Sequence, residues 1–435
     1  MHMIDGKVTI MSSCINWHSL PCLLTNHNGE EKAVVFTNID GELVACEIPR
    51  DNLKSEEIFR EMSEAGGFDC LGRTMPLQDE FTLVLSVTER CNAACRYCFL
   101  DAQTCGNVMT QDILHAAIDY VAENIHGRTI NLAAFGGEPS VAPDLVAEMV
   151  RYGKARIRDP LKFSITTNGY FDDAFCDFLL ENNFHISLSM DGIPLVQTAQ
   201  RPSKVSISQL EKNISRLATS SCEMKVRSTV TEFSVVHMLD TVKYLKGLGV
   251  TRIHFEPVTP GGRAEVQTEY TRQPLPDIFV NELFQCIDYG AEAGVDVICF
   301  PYMNMLMAPV VFCDGNINNR LVIGATGVVS TCVEVQNTMH PLFSALGIGS
   351  YDQESRSFFF DYAQRRPFCR GCSDLVRNPE CKQCAFSFFC AGGCPTRNYR
   401  GSDSTEIISD YRCKIMKMVM PHILEKYYQA TYEED

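Results

Sequence analysis

From residue 81 the chain alternates strand-like and helix-like segments, and this alternation limits its fold more than any other feature. The apolar, β-branched runs FTLVLSV, TINLAAF, KFSITT, HISLSM, EMKVRSTVT and TRIHFEP follow one another, with a seventh and weaker run, VDVICF, at 295–300. Between them lie segments with apolar residues at helical spacing, among them QDILHAAIDYVAENI, APDLVAEMVRYGKARI and VVHMLDTVKYLKGLG. Repeated strand–helix units predict a parallel sheet, either open and doubly wound or curled into a full or partial β/α barrel. In a barrel the functional residues belong at the C-terminal ends of the strands.

The flanks read differently. Residues 1–78 suggest a small α+β domain: EKAVVFT and GELVACEI surround Asn38-Ile39-Asp40-Gly41 as a hairpin, and SEEIFREMSEAGG follows as a short amphipathic helix. After residue 300 the alternation stops and cysteine, glycine and turn residues take over. The expected domains are therefore 1–78, 79–300 and 301–420, with 421–435 as a C-terminal tail. A chain of 435 residues suits two or three domains. No apolar run approaches 18 residues, and MHMIDGKVTI lacks the basic flank and apolar core of a secretory signal, so a cytoplasmic protein without membrane contact is expected. The net charge of −16, with no basic stripe, argues against nucleic acid as a partner.

The 21 cysteines carry the chemistry. In a long chain without a secretory signal, clustered cysteines read as metal or cluster ligands, whereas isolated ones such as Cys176, Cys222 and Cys286 read as small buried hydrophobes. Cys91, Cys95 and Cys98 directly follow the first strand of the alternating region. Three thiolates on one loop can hold three irons of a [4Fe–4S] cube and leave the fourth iron open, and an open position is what distinguishes a catalytic metal centre.

The pattern C-x3-C-x2-C with Tyr97 before its last cysteine resembles the signature of the radical S-adenosylmethionine (SAM) superfamily. The resemblance continues along residues 80–300 in the family's order. Gly136-Gly137-Glu138-Pro139 follows the second strand, Thr166-Thr167-Asn168-Gly169 ends the third, and Ser187-Leu-Ser189-Met-Asp191-Gly192 ends the fourth. It implies a partial (β/α)6 barrel of the radical SAM type. It also implies SAM on the open iron, cleaved reductively to a 5′-deoxyadenosyl radical that abstracts hydrogen. Gly136, Gly137, Glu138, Pro139, Thr167, Asn168, Ser189, Asp191, Arg201 and Tyr97 are the implied SAM contacts. Glu138 would accept from the SAM amine and Arg201 would approach its carboxylate.

The later cysteines resemble the SPASM extension, a cysteine-rich domain with two auxiliary [4Fe–4S] clusters, which makes three clusters in all. Carried over, Cys313, Cys332 and Cys394 ligate the first auxiliary cluster, and Cys381, Cys384, Cys390 and Cys413 the second. The fourth ligand of the first stays open between Cys299, the extra pair Cys369 and Cys372, and an iron left to substrate.

Enzymes of this kind act mostly on peptides or small proteins, sometimes through a leader peptide, and draw electrons from a partner such as flavodoxin or ferredoxin. The reading favoured is a maturase of ribosomally made peptides, forming a thioether or carbon–carbon cross-link. The alternative is an anaerobic sulfatase-maturating enzyme that makes formylglycine. That branch carries an Asp base directly after the cysteine matching Cys332, where this chain has Val333 and then Glu334. A bare iron–sulfur electron carrier is the remote alternative, since it does not account for the strand-end motifs.

Overall fold

The computed structural model describes strands within residues 9–49, residues 79–102, 106–301 and 319–361, several positions between 381 and 398, and a helix at 410–432. The chain forms two compact units. One comprises 77–299 with 314–369; the other comprises 1–76 with 300–313 and 370–435.

The larger unit is built on β5 (Glu80–Thr88), β6 (Thr129–Gly136), β7 (Leu161–Thr167), β8 (His185–Ser189), β9 (Met224–Val230), β10 (Arg252–Pro257) and β11 (Asp296–Ile298). These seven strands are parallel and adjacent in chain order, as the alternation requires. The connecting helices start where their caps dictate. Helix α1 (Gln111–Asn124) is capped by Thr110, α2 (Pro143–Arg156) and α4 (Pro194–Gln200) open on proline, and α3 (Asp173–Glu181) is capped by Asp172. Ser206 caps α5 (Ile207–Ala218) in the same way, and such caps contribute about 1 kcal/mol each. Helices α6 (Met238–Gly247) and α7 (Pro276–Ala293) complete the layer. Helix α1 buries Ile113, Leu114, Ala117, Ile118 and Val121, the single stripe that packs on a sheet.

The sheet does not stop at residue 300. β12 (Arg320–Ile323) joins the free side of β5 in parallel, and β13 (Val328–Ser330), β14 (Gly347–Asp352) and β15 (Ser357–Phe360) continue from it antiparallel. The expected boundary at 300 marks a change of connectivity, from crossovers to hairpins, rather than the edge of this unit. A short helix, α8 (Phe343–Leu346), separates β13 from β14.

In the second unit, β1 (Thr9–Trp17), β2 (Leu20–His27), β3 (Glu30–Ile39) and β4 (Glu42–Pro49) form an antiparallel meander. The expected hairpin is β3–β4, closed by a two-residue connection with Ile39 opposite Glu42. The helix expected over SEEIFREMSEAGG lies outside the described residues. Residues 1–76 cluster with 370–435 instead of forming a unit alone. The expected tail from 421 is also replaced: α9 (Asp410–Tyr432) runs straight through Pro421. Proline forfeits one helical hydrogen bond, a loss the buried residues Ile415, Met416, Val419, Met420 and Leu424 offset.

Candidate active site

The loop Cys91–Cys98 leaves the C-terminal end of β5 and is strapped down on several sides. The N–H groups of Ala94 and Arg96 donate to the carbonyls of Pro202 (2.8 Å) and Gln200 (2.9 Å), and the Asn92 amide donates to the carbonyl of Tyr170 at 2.7 Å. On another side Arg263 N–H donates to the Cys98 carbonyl at 3.0 Å. Gly262 has φ +55°, and a Cβ there would stand 2.4 Å from that same carbonyl oxygen. A left-handed φ and a contact this close leave room for glycine alone. Sequence reading missed this support from the segment after β10. The Gly261-Gly262 pair after a strand was the available signal.

Gly136 and Gly137 serve the same loop. A Cβ on Gly136 would lie 2.1 Å from the Thr88 carbonyl oxygen, and one on Gly137 would lie 2.3 Å from that of Arg90. Gly137 N–H and Glu138 N–H donate to these two oxygens, each at 2.8 Å. The backbone that approaches the glycines is thus the chain's own, which locks the end of β6 onto the start of the cysteine loop.

Glu138 is buried. Its carboxylate accepts from Thr167 Oγ1 (2.7 Å), Asn168 N–H (2.7 Å) and Ser140 N–H (3.0 Å). Burial pushes its pKa up, while these donors pull the other way. The Ser140 hydroxyl also hydrogen-bonds to it, so four neutral donors and no cation serve this carboxylate. Pro139 opens the short turn Pro139–Val141 that Glu138 caps.

Asp191 holds the other half of the site. Its Oδ1 accepts from Arg201 Nε (2.9 Å) and Thr229 N–H (3.0 Å), and its Oδ2 from Gln200 Nε2 (2.7 Å) and the Tyr97 hydroxyl. Arg201 also lies over the Tyr97 ring, 5.2 Å from its centroid. The implied SAM contacts Arg201, Tyr97 and Asp191 therefore bind one another. Ser189 closes β8 on the polar face of the sheet, in register with Arg227.

Three N–H groups face the loop sulfurs. Asn168 Nδ2 lies 3.8 Å and Ala93 N 3.4 Å from Cys91 Sγ, and Arg201 Nη1 lies 3.7 Å from Cys95 Sγ. Burial pushes the Cys91 thiol up to about 12, so binding metal there must release a proton. Among the described residues no three ligating side chains converge on a single metal ion. A cubane, however, spreads its thiolates over separate irons. A three-thiol loop with Cys91 and Cys95 buried and N–H donors aimed at their two sulfurs suits such a cluster.

Cys332 and Glu334 lie in a turn beyond β13, where Val335 N–H donates to the Cys332 carbonyl at 3.0 Å. Gln336 donates from Nε2 to the Val333 carbonyl (2.7 Å) and accepts from Ser86 Oγ of β5 (2.7 Å). The turn is thereby pinned near the C-terminal end of β5. In the second unit, Cys381, Cys384 and Cys413 act electrostatically on Cys390, whose thiol burial pushes up to about 12. Cys394 follows in that unit, whereas Cys332 and the buried Cys299 belong to the first. Cys313, Cys369 and Cys372 lie outside the described residues.

The fold and this constellation define a class. Residues 85–230 match the model of the Radical SAM superfamily, so the chain carries a radical SAM domain. It is 25% identical over 332 residues to a serine-type anaerobic sulfatase-maturating enzyme of Klebsiella pneumoniae, covering 72% of this chain and 81% of that one. A cysteine-type counterpart from Clostridium perfringens is 22% identical over 364 residues, covering 77% and 94%. Among solved structures, native anSMEcpe with bound AdoMet superposes with a TM-score of 0.65 at 19% identity, over 81% of this chain and 99% of that one. Streptococcus suis SuiB bound to its precursor peptide SuiA superposes at 0.51 and 14% identity, over 93% and 99%. No described helix is long and apolar enough to cross a membrane.

Proposed function

We propose that the chain oxidises a residue of a peptide or small protein by two electrons, closing a thioether or carbon–carbon cross-link. When bound, the loop cluster and SAM supply a 5′-deoxyadenosyl radical that removes a hydrogen atom from the substrate. The chain's own residues do the rest. Cys91, Cys95 and Cys98 hold the cluster, the Glu138 carboxylate accepts from the SAM amine, and the Asp191–Arg201–Tyr97 network fixes the loop.

The observation that carries the oxidation is the turn pinned by Gln336. It holds the backbone beside Glu334 near the strand-end side of the sheet, which supports Glu334 as the base that takes the proton leaving with the second electron. Cys313, Cys332 and Cys394, and the set Cys381, Cys384, Cys390 and Cys413, are assigned to two auxiliary clusters that accept the electron. An external flavodoxin or ferredoxin reduces the first cluster.

A second reading is formylglycine formation, favoured by the sulfatase-maturating relatives. Val333 weighs against it, since it stands where that branch has its base. Oxidation of serine to the aldehyde also removes two hydrogens, so mass alone does not separate the readings. The reconstituted enzyme, given SAM, a reductant and a candidate peptide, is expected to give a product two hydrogens lighter that does not react with a hydrazide. A hydrazide adduct supports the second reading. Failure to make 5′-deoxyadenosine at all overturns both.

A further inference from the structure

Two side-chain donors point at sulfurs of the cysteine loop, and they differ in charge. Asn168 Nδ2, which is neutral, lies 3.8 Å from Cys91 Sγ and also donates to Asn92 Oδ1 at 2.8 Å. Arg201 Nη1, part of a cation, lies 3.7 Å from Cys95 Sγ. The resemblance sends Arg201 toward the SAM carboxylate, and the contact with sulfur is an addition to that role.

The rest of the guanidinium explains why Nη1 stands there. Nε donates to Asp191 Oδ1 at 2.9 Å, and Nη2 to Thr229 Oγ1 at 3.4 Å. Asp191 is itself fixed, since its N–H donates to Gln197 Oε1 at 2.9 Å and its Oδ2 accepts from Gln200 Nε2 at 2.7 Å. Both glutamines are fully buried on α4, whose last turn also takes the Arg201 N–H on the Gln197 carbonyl at 2.8 Å. Two nitrogens of the guanidinium are thus tied to β9 and to Asp191, and the third is turned to the cysteine loop. Arg201 and Asp191 are buried, so water screens this charge little. Bracing the loop needs only the contacts with Asp191. A cation on a ligand sulfur does more, because it favours the form of a cluster that carries the extra negative charge. Hydrogen bonds to the sulfurs and local charge are the means by which a protein sets a cluster's potential.

We propose that Arg201, held by Asp191 and Thr229, acts through the Cys95 sulfur to raise the reduction potential of the loop cluster. The proposal rests on the assignment of Cys91, Cys95 and Cys98 as cluster ligands. The cluster gains one electron from the reduced flavodoxin or ferredoxin, which loses one, and Arg201 keeps its proton throughout.

The test is a redox titration of the full-length, reconstituted protein without SAM, followed by electron paramagnetic resonance. The signal of the loop cluster is the one that a Cys91→Ala/Cys95→Ala/Cys98→Ala variant lacks. Arg201→Gln is expected to make this cluster about tenfold harder to reduce, a potential about 59 mV lower for one electron. Arg201→Lys keeps the cation and is expected to stay within about threefold of the unaltered chain. Arg201→Gln leaves Asp191 buried without its cation, so Asp191→Asn/Arg201→Gln, which removes both charges, guards against a failure to load iron. It is expected to be about threefold harder to reduce, because the cation rather than the acid meets the sulfur. A change below about twofold in both Gln variants overturns the proposal, and a weakened SAM Kd alongside it would leave the guanidinium to the SAM carboxylate alone. A full shift in Arg201→Lys also overturns it, since lost geometry rather than lost charge would then be the cause. Failure of the cluster assignment reads separately, as no signal that depends on the three loop cysteines.

Discussion

Two buried carboxylates stand at the mouth of the sheet, and they are held in opposite ways. Glu138, after β6, accepts only from neutral donors: Thr167 Oγ1, Asn168 N–H and both the N–H and the hydroxyl of Ser140. Asp191, after β8, accepts four hydrogen bonds, one of them from the Arg201 guanidinium, and is saturated. The first has no cation against it, so its charge is left for a cationic ligand. The second is built to hold Arg201 and Tyr97 against the cysteine loop. Two acids in equivalent strand-end motifs thus divide binding from bracing.

The largest effect expected from breaking this contrast is at Asp191. Asp191→Ala leaves the Arg201 guanidinium buried without its carboxylate, a loss of about 3–5 kcal/mol. Urea unfolding of the apo chain measures it, and iron bound per chain after reconstitution is expected to fall with it. A loss below about 1 kcal/mol would mean that Asp191 does not brace the loop. Next comes Gly262→Ala, whose Cβ meets the Cys98 carbonyl at 2.4 Å from a left-handed backbone. It is expected to cost about 2–3 kcal/mol and to lower iron content, since the clash is with backbone rather than a movable side chain.

Glu138→Gln sharpens the contrast from the other side. The amide keeps one oxygen acceptor but turns an N–H₂ toward a donor, a loss in unfolding free energy of about 1–2 kcal/mol. Its main effect is expected in SAM binding, where losing the carboxylate partner raises Kd about tenfold or more, about 1.4 kcal/mol. Equilibrium dialysis with the reconstituted protein reads this. Equal SAM affinity for wild type and variant would place the amine elsewhere.

Much of this layout is legible in the sequence because periodicity reports burial. Strands β5 to β10 and helices α1, α2 and α6 are long enough, and half-buried enough, for their spacing to show, and the three-residue β11 shows only as part of the weaker run 295–300. β1 escapes because a bulge between Met11 and Cys14 breaks its alternation, and β12 and β13 because four and three residues are too few to show any period. The motifs Gly136–Pro139, Thr167-Asn168 and Ser189–Asp191 are also legible as strand-end features. Their partners are not, since Gly262 meeting Cys98, or Gln336 meeting Ser86, joins residues more than 160 positions apart. Such pairings follow from the three-dimensional course of the chain and leave no local trace.

A third carboxylate separates the effect of charge from that of burial, and it carries the smallest expected effect. Glu148 sits on α2, away from the mouth, and binds Arg151 Nη2 at 2.6 Å and His115 Nε2 at 2.6 Å. The Arg151 hydrogen bonds, and then those of His115, hold its pKa down to about 2 against an ordinary 4.5. A carboxyl depressed on folding contributes stability above its unfolded pKa, and that contribution is lost as pH falls through the folded value. The window is therefore pH 4.5 down to about 2. Unfolding measured across it is expected to be slightly less steep in acid for Glu148→Gln, with a difference at neutral pH below about 1 kcal/mol because the Arg151 side is open to solvent. If that variant instead cost as much as Asp191→Ala, partner charge alone would explain Asp191. A small effect leaves the removal of water around Asp191 and Arg201 as the reason that one acid braces the site.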